Sequence, residues 1–231
     1  MGRLPRLIAD GLIYHALNRG NNRQAVFTAP ADFTAFLHAL GQTQERYPFR
    51  LYGYCLMTNH FHLLLEPDAG QNISRILQSL TVAHTWRFHR GHRCSGHVWQ
   101  GRFKSPAIQD DAHLLTVLRY IEANPLRAGM VTDLKDYPWC SYPTHGLGRD
   151  QEFVSELPTW QGLARTEAAR QAFWRKLVHM PLTARELAAV RRSVTTGRPF
   201  GSTGWVEAAA RSLGIQLTSR PRGRPRKQLE K

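Results

Sequence analysis

His60-Phe61-His62 places two imidazoles one residue apart, in a short apolar run from Phe61 to Leu65 bounded by Asn59 and Pro67. Such a run reads as a β-strand. Side chains alternate faces along a strand, so both histidines leave one face while Phe61, Leu63 and Leu65 leave the other, toward a core. Two neutral imidazoles side by side can hold one divalent cation. The competing reading is a pair of exposed sheet histidines with no metal. A second chemical group lies further on, where Tyr120 and Asn124 are four apart at the end of an expected helix and so share a face. Leu114, Leu115, Val117, Leu118 and Ile121 already supply the apolar stripe of that helix. The ordinary alternative for Tyr120 is a place in a core or an interface. A helix packed on the sheet could instead carry Tyr120 to the His60/His62 face, with the Asn124 carboxamide oxygen as a third ligand.

That grouping permits one specific reaction. A phenol has an ordinary pKa of about 10 and is a poor nucleophile at neutral pH. A divalent metal held by His60, His62 and Asn124 could bind a phosphodiester oxygen, withdraw charge from phosphorus and orient the bond for in-line attack. Tyr120 would then displace the 3′-OH and become joined to the 5′-phosphate. The new linkage retains the bond energy, so strands could be rejoined without ATP. The chain has no P-loop or other nucleotide-binding fingerprint, in keeping with that chemistry.

The elements that must position these groups can be read in order. A strand is expected over about Gly11–Asn18, running into the polar loop Asn18–Arg23. Pro30 and Asp32 open a helix to about Arg46, with Phe33, Phe36, Leu37 and Leu40 at helical spacing. Phe49–Met57 and His60–Glu66 are two strands joined by Thr58-Asn59, a hairpin. Asn72 or Ser74 starts a second long helix with Ile73, Ile76, Leu77, Leu80 and Ala83 as its stripe. Residues 91–101 form a Gly- and His-rich loop, and Arg102–Ile108 a further strand. Asp110 or Asp111 caps a third helix that runs to Ala123 and stops before Asn124-Pro125, because a residue preceding proline is pushed out of the helical region. The order is the split βαβ pattern followed by one extra helix, an α+β fold. Gly146-Leu147-Gly148 looks like a boundary. Beyond it only helical stretches are visible, Thr183–Ser193 and Gly204–Leu213 among them. The division is therefore residues 1–148, 149–217 as a helical region, and 218–231 as a basic tail too polar to build a core.

Charge names the class of partner. The 231 residues hold 31 Lys plus Arg against 17 Asp plus Glu, a formal +14, and the pI is about 10.5. A field of that sign attracts polyanions, nucleic acid above all. The apolar fraction of 42% fits a folded protein, and no apolar run approaches the roughly 18 residues of a transmembrane helix. No membrane partner is expected. The basic N-terminus is not followed by the apolar stretch of a signal peptide. Three widely spaced cysteines, Cys55, Cys94 and Cys140, argue against a disulfide framework and for a reducing compartment, hence the cytoplasm and its nucleoid.

With those residues in view, the sequence resembles the single-tyrosine HUH transposases, and within them the REP-associated tyrosine transposases. The matching stretches are Tyr14–Gln24, Gly53–Pro67 around His60-Phe61-His62, His97–Ser105, Arg119–Val131 and Tyr137–Tyr142, in order over about residues 3–145. The resemblance implies a ferredoxin-like (βαββαβ) catalytic domain with an added helix carrying the tyrosine. It also implies Mg2+ or Mn2+ at His60 and His62, Tyr120 as nucleophile, and single-stranded or hairpin DNA (REP-like palindromes) as substrate. Many members carry Gln four residues after the tyrosine where this chain has Asn124, a shorter side chain. A non-catalytic hairpin-binding regulator of the same fold is the alternative, and both monomer and homodimer stay open.

Further signals concern DNA. Arg222-Gly223-Arg224-Pro225 reads either as an AT-hook, whose Arg222 and Arg224 would enter a narrow A·T minor groove, or as a tail that adds non-specific affinity. Arg19, Asn21, Asn22 and Arg23, with Arg102 and Lys104, stand near strand ends beside Trp99, where phosphate contacts and base stacking suit single strands; ordinary solvated loops are the other reading. His92, Cys94 and His97 form a second metal-like spacing that lacks a fourth partner for structural zinc.

Overall fold

A computed structural model describes residues 7–109, 112–212 and 214. Four strands, β1 (Ile13–Arg19), β2 (Phe49–Met57), β3 (His60–Pro67) and β4 (Ala107–Ile108), form one sheet in the order β2-β3-β1-β4. All paired neighbours are antiparallel. With α1 (Pro30–Arg46) between β1 and β2 and α2 (Ile73–His92) between β3 and β4, this is the split βαβ arrangement expected.

Local chemistry sets the helix limits. Pro30 occupies the first turn of α1, and Asp32 accepts from the backbone N–H groups of Thr28 at 2.8 Å and Ala29 at 3.0 Å. Asn72 caps α2 by accepting from Ser74 N–H at 2.7 Å, and Arg93 ends it in the left-handed region at φ 48°. The tyrosine helix, α3 (Ala112–Glu122), does not stop cleanly. After Ala123 the chain turns again as α4 (Asn124–Arg127), where Pro125 sits in a first turn that needs no N–H from it. The caps expected at Asp110 or Asp111 lie outside the described residues.

The fourth strand is a correction. Arg102–Ile108 was expected to pair throughout, but only Ala107–Ile108 is strand. Leu17 and Lys104 exchange both backbone hydrogen bonds at 2.9 Å, and Pro106 then offers only its carbonyl, to His15 N–H at 3.0 Å. A proline has no N–H to continue the ladder.

Two cores lie on the two faces of the sheet. Phe61, Leu63 and Leu65 of β3 pack with Tyr14 and Ala16 of β1 and with Phe36, Leu40, Ile76 and Leu80 under α1 and α2. Leu64, Ile13, Cys55 and Met57 face the other way, against Leu114, Val117, Leu118 and Ile121 of α3. A bulge at Leu51/Gly53 keeps β2 in this alternation. Gly53 is required where α3 crosses, since a Cβ there would stand 2.3 Å from Leu118 Cδ1.

The later helices are α5 (Tyr142–Leu147), α6 (Glu167–His179), α7 (Ala184–Thr196) and α8 (Thr203–Ser212). Gly146-Leu147-Gly148 is the end of α5, with Gly148 as its left-handed cap. Trp160, Trp174, Val178 and Val190 join the α3-side core, so the helical region beyond residue 148 shares its apolar interior with the sheet. Both sheet edges are covered. Phe200 exchanges hydrogen bonds with Ala107 and Gln109 at 2.8 Å alongside β4. On the β2 side Leu56 N–H donates to Trp139 O, Ser141 N–H to Tyr54 O and Ser155 N–H to Leu51 O.

Candidate active site

The α3-side face of the sheet opens at one end into a cleft of about 480 Å³. His60 and His62 reach it from β3, Arg19 from β1, Tyr120 from α3, Asn124 and Arg127 from α4, and Arg191, Val194 and Thr195 from α7. Tyr120 comes to the histidines from the same chain: its ring centroid lies 5.8 Å from that of His62 and 5.9 Å from that of His15. The rings of His60 and His62 are 5.0 Å apart and nearly perpendicular.

His15, a residue that the one-residue spacing could not reveal, completes the histidine group. It stands on β1 opposite Leu64, diagonal to His62, and its Nε2 is 2.8 Å from His62 Nδ1. Diagonal cross-strand neighbours are within reach of ring side chains. Both rings are buried, at 1% and 3% exposure. Burial pushes His15 down to about 3 and His60 to about 4, the latter helped by Arg19 and Arg127. Burial, then His15 and His60, hold His62 well below the ordinary value. All three are neutral at physiological pH, the form in which imidazole ligates a metal.

Each ligand candidate has its Nδ1 engaged. His60 Nδ1 lies 2.7 Å from Asn59 Oδ1, a position that selects the tautomer with N–H on Nδ1 and a lone pair on Nε2. His62 takes the same tautomer when its Nδ1–H donates to the neutral His15. Such outer partners orient ligating histidines. Asn59 also ties down the preceding loop, because its Nδ2 donates to Arg23 O at 3.1 Å and its carbonyl accepts from Gly20 N–H at 2.8 Å. Among the described residues no three His, Cys, Asp or Glu side chains group as a metal site. Two imidazoles alone therefore fit a hard cation only if oxygen donors from an amide, water or a phosphate complete its shell.

Asn124 lines the cleft, 9% exposed, and is held firmly. Its Nδ2 donates to the carbonyls of Tyr120 and Ile121, both at 3.1 Å. Its Oδ1 accepts from Arg127 Nη2 at 2.7 Å, which leaves one lone pair for a metal. The same Arg127 nitrogen donates to Tyr120 O at 2.7 Å, and the guanidinium lies 4.3 Å over the Tyr120 ring. Arg127 thus fixes the tyrosine and the asparagine together.

The helix that carries Tyr120 is anchored from below. Glu122 is fully buried and accepts from Ser141 Oγ at 2.5 Å, His145 Nδ1 at 2.7 Å and Trp174 Nε1 at 2.7 Å. Arg119 donates to Met180 O and Pro181 O at 2.6 and 2.8 Å, between α6 and α7. α7 starts on a capping box of Thr183 and Glu186, and its far end supplies Arg191 to the cleft.

Of the DNA-contact candidates, Arg19, Arg102 and Lys104 line the cleft. Asn21, Asn22 and Arg23 form a tight turn beside it, with Asn22 and Arg23 at positive φ. Arg222 and Arg224 lie outside the described residues. Among the described residues five cations and no carboxylate line the cleft, which suits a phosphate backbone. The second metal-like spacing comes apart. His92 Nε2 is 2.9 Å from Asp32 Oδ1, and Cys94 is exposed and free.

Comparison with known proteins bears on the family and the fold. A candidate REP-associated tyrosine transposase of Haemophilus influenzae is 33% identical over 118 residues, 46% of this chain and 66% of that protein. The chain thus spans just under two thirds of that relative. A REP-associated tyrosine transposase of Escherichia coli is 23% identical over 137 residues, 58% of this chain and 78% of that protein. A solved structure of a REP-associated tyrosine transposase bound to a REP hairpin superposes with a TM-score of 0.54 at 19% identity, covering 68% of this chain and 99% of that one. At that identity the likeness establishes the fold. No helix among the described residues is long and apolar enough to cross a membrane. The family model described as "Transposase IS200 like" matches residues 9–124, half of the sequence, and the chain belongs to that family.

Proposed function

We propose that this protein cleaves and rejoins single-stranded DNA beside a hairpin of the REP type, through a covalent link between Tyr120 and a 5′-phosphate, with Mg2+ or Mn2+ at His60 and His62. The observation that carries the reading is the Tyr120 ring 5.8 Å from His62 in a cleft lined by cations. When bound, a divalent ion would supply Lewis-acid activation of the scissile phosphate. The residues of the chain do the rest. Arg19, Arg102, Lys104 and Arg191 bind the phosphates on either side of the bond. His15 and Asn59 hold the ligating rings in the right tautomer. Arg127 orients the phenol.

The phenol oxygen attacks phosphorus and forms an O–P bond, and the bond from phosphorus to the 3′ oxygen breaks. The phenol proton is lost and the departing 3′ oxygen ends protonated. A different 3′-OH can reverse the exchange and join a new strand, so atoms and bond energy balance without a nucleotide cofactor. The relative whose structure contains a REP hairpin supports the choice of substrate.

The test is a hairpin-bearing oligonucleotide labelled at its 3′ end and incubated with Mg2+ or Mn2+. The label should stay on the protein in a denaturing gel, while a 5′ label leaves. Chelation or Tyr120→Phe should abolish the adduct while hairpin binding persists. An adduct that survives Tyr120→Phe moves the nucleophile elsewhere. Hairpin binding that is indifferent to metal, with no adduct under any condition, favours the non-catalytic regulator.

A further inference from the structure

The outer surface of the α1/α2 layer, across the sheet from the catalytic cleft, carries a second basic and aromatic surface. Val82 and Trp86 lie four apart on one side of α2, and each is 61% exposed. They border a groove of about 710 Å³ between α2 and the end of α1, lined also by Arg46, Tyr47, Arg75 and Arg87. Among the described residues no carboxylate lines it. Arg87 is committed to the fold, donating to Ala35 O at 2.8 Å and Gln42 Oε1 at 3.1 Å, which pins α2 to α1. Arg90 lies 5.3 Å from the centroid of the Trp86 ring, and Arg46 stands at the same distance from that of Tyr47.

We propose that this groove is a second nucleic-acid site, which holds single-stranded DNA with a base stacked on Trp86 and backbone phosphates on Arg46, Arg75 and Arg90. An indole left mostly in water beside guanidinium groups matches the platform that unpaired bases use, an aromatic face flanked by phosphate-binding charge. A duplex keeps its bases stacked on one another and offers no face to such a platform. A second copy of this chain is disfavoured, because a formal +14 on each partner would be brought together through arginines. The proposal does not depend on the tyrosine chemistry, and binding can be read without cleavage.

The experiment uses the full chain with Tyr120→Phe, so that the DNA stays intact, and labelled oligo-dT as the probe. Trp86 is exposed, so Trp86→Ala should fold normally. It should weaken oligo-dT binding about tenfold while leaving duplex affinity unchanged. Trp86→Phe should retain most of the affinity, because a ring remains. Arg75→Glu should weaken binding and lower its salt dependence. Photo-crosslinking with iodouracil-substituted oligo-dT should attach to the peptide containing Trp86. Oligo-dT affinity within twofold of the parent in Trp86→Ala overturns the proposal. An equal loss for duplex, or a change in sedimentation in place of a change in DNA affinity, overturns it as well.

Discussion

The two faces of the sheet are built from the same strands to opposite ends. On the α1/α2 side, β3 contributes Phe61, Leu63 and Leu65 to a core closed by aromatic rings, with Phe36 5.0 Å from Phe61. On the α3 side the same strand contributes His60, His62 and Leu64, and polar side chains are held there only because each has a partner. His62 is matched by His15, His60 by Asn59, Asn124 by Arg127, and Glu122 by three donors. One face gains stability from undirected burial. The other holds its polar groups in place by satisfying them one at a time.

The largest effect should come from the apolar face. Phe61→Ala empties a fully buried site and should cost about 3–5 kcal/mol in urea unfolding. Adduct yield per folded molecule should nevertheless stay near that of the parent. A yield that collapses at constant folded fraction would break the division between the faces.

Acid should probe a histidine buried on the apolar side. His84 sits among Phe27, Phe36, Phe88 and Trp99, and burial pushes it down to about 4. Its folded pKa is below its unfolded one, so the unfolded chain takes up the proton first as pH falls. The contribution is complete above about pH 6.5, declines as pH drops toward 4, and amounts to roughly 3 kcal/mol. Unfolding free energies between pH 7 and 4.5 should fall less steeply in His84→Leu than in the parent.

The smallest of the three effects belongs to the polar face. His15→Ala removes the partner of His62 and should weaken Mn2+ binding, read by electron paramagnetic resonance without DNA, about 10- to 100-fold. Unchanged Mn2+ affinity would reduce His15 to a packing residue.

How much of this was legible beforehand follows from the range of each interaction. The shared face of His60 and His62 was readable because a strand repeats every two residues, and the start of α1 because Pro30 and Asp32 act within one turn. Tyr120 could be assigned to a helix end from its apolar neighbours alone. The contact between His15 and His62 was not readable, since 47 residues separate them and only the antiparallel register makes them diagonal neighbours. Arg127 and Arg191 were missed for a related reason: a lone arginine carries no periodic signature, and α7 is brought to the cleft by long-range packing, with Val190 in the α3-side core and Arg119 of α3 binding the carbonyls of Met180 and Pro181 just before it. Pro106 was visible in the segment expected to be a strand, and its missing N–H is the local signal that could have shortened that strand.

The coverage of both sheet edges limits how copies of this protein could associate. Phe200 occupies the hydrogen-bonding groups beside β4, and the backbone of Trp139, Ser141 and Ser155 occupies those of β2. Among the described residues, a visiting strand would find these edge amides and carbonyls already taken on both flanks. Recruitment of another chain by continuing the ladder at these positions is thereby opposed, which leaves side chains and the nucleic acid itself as the means of assembly.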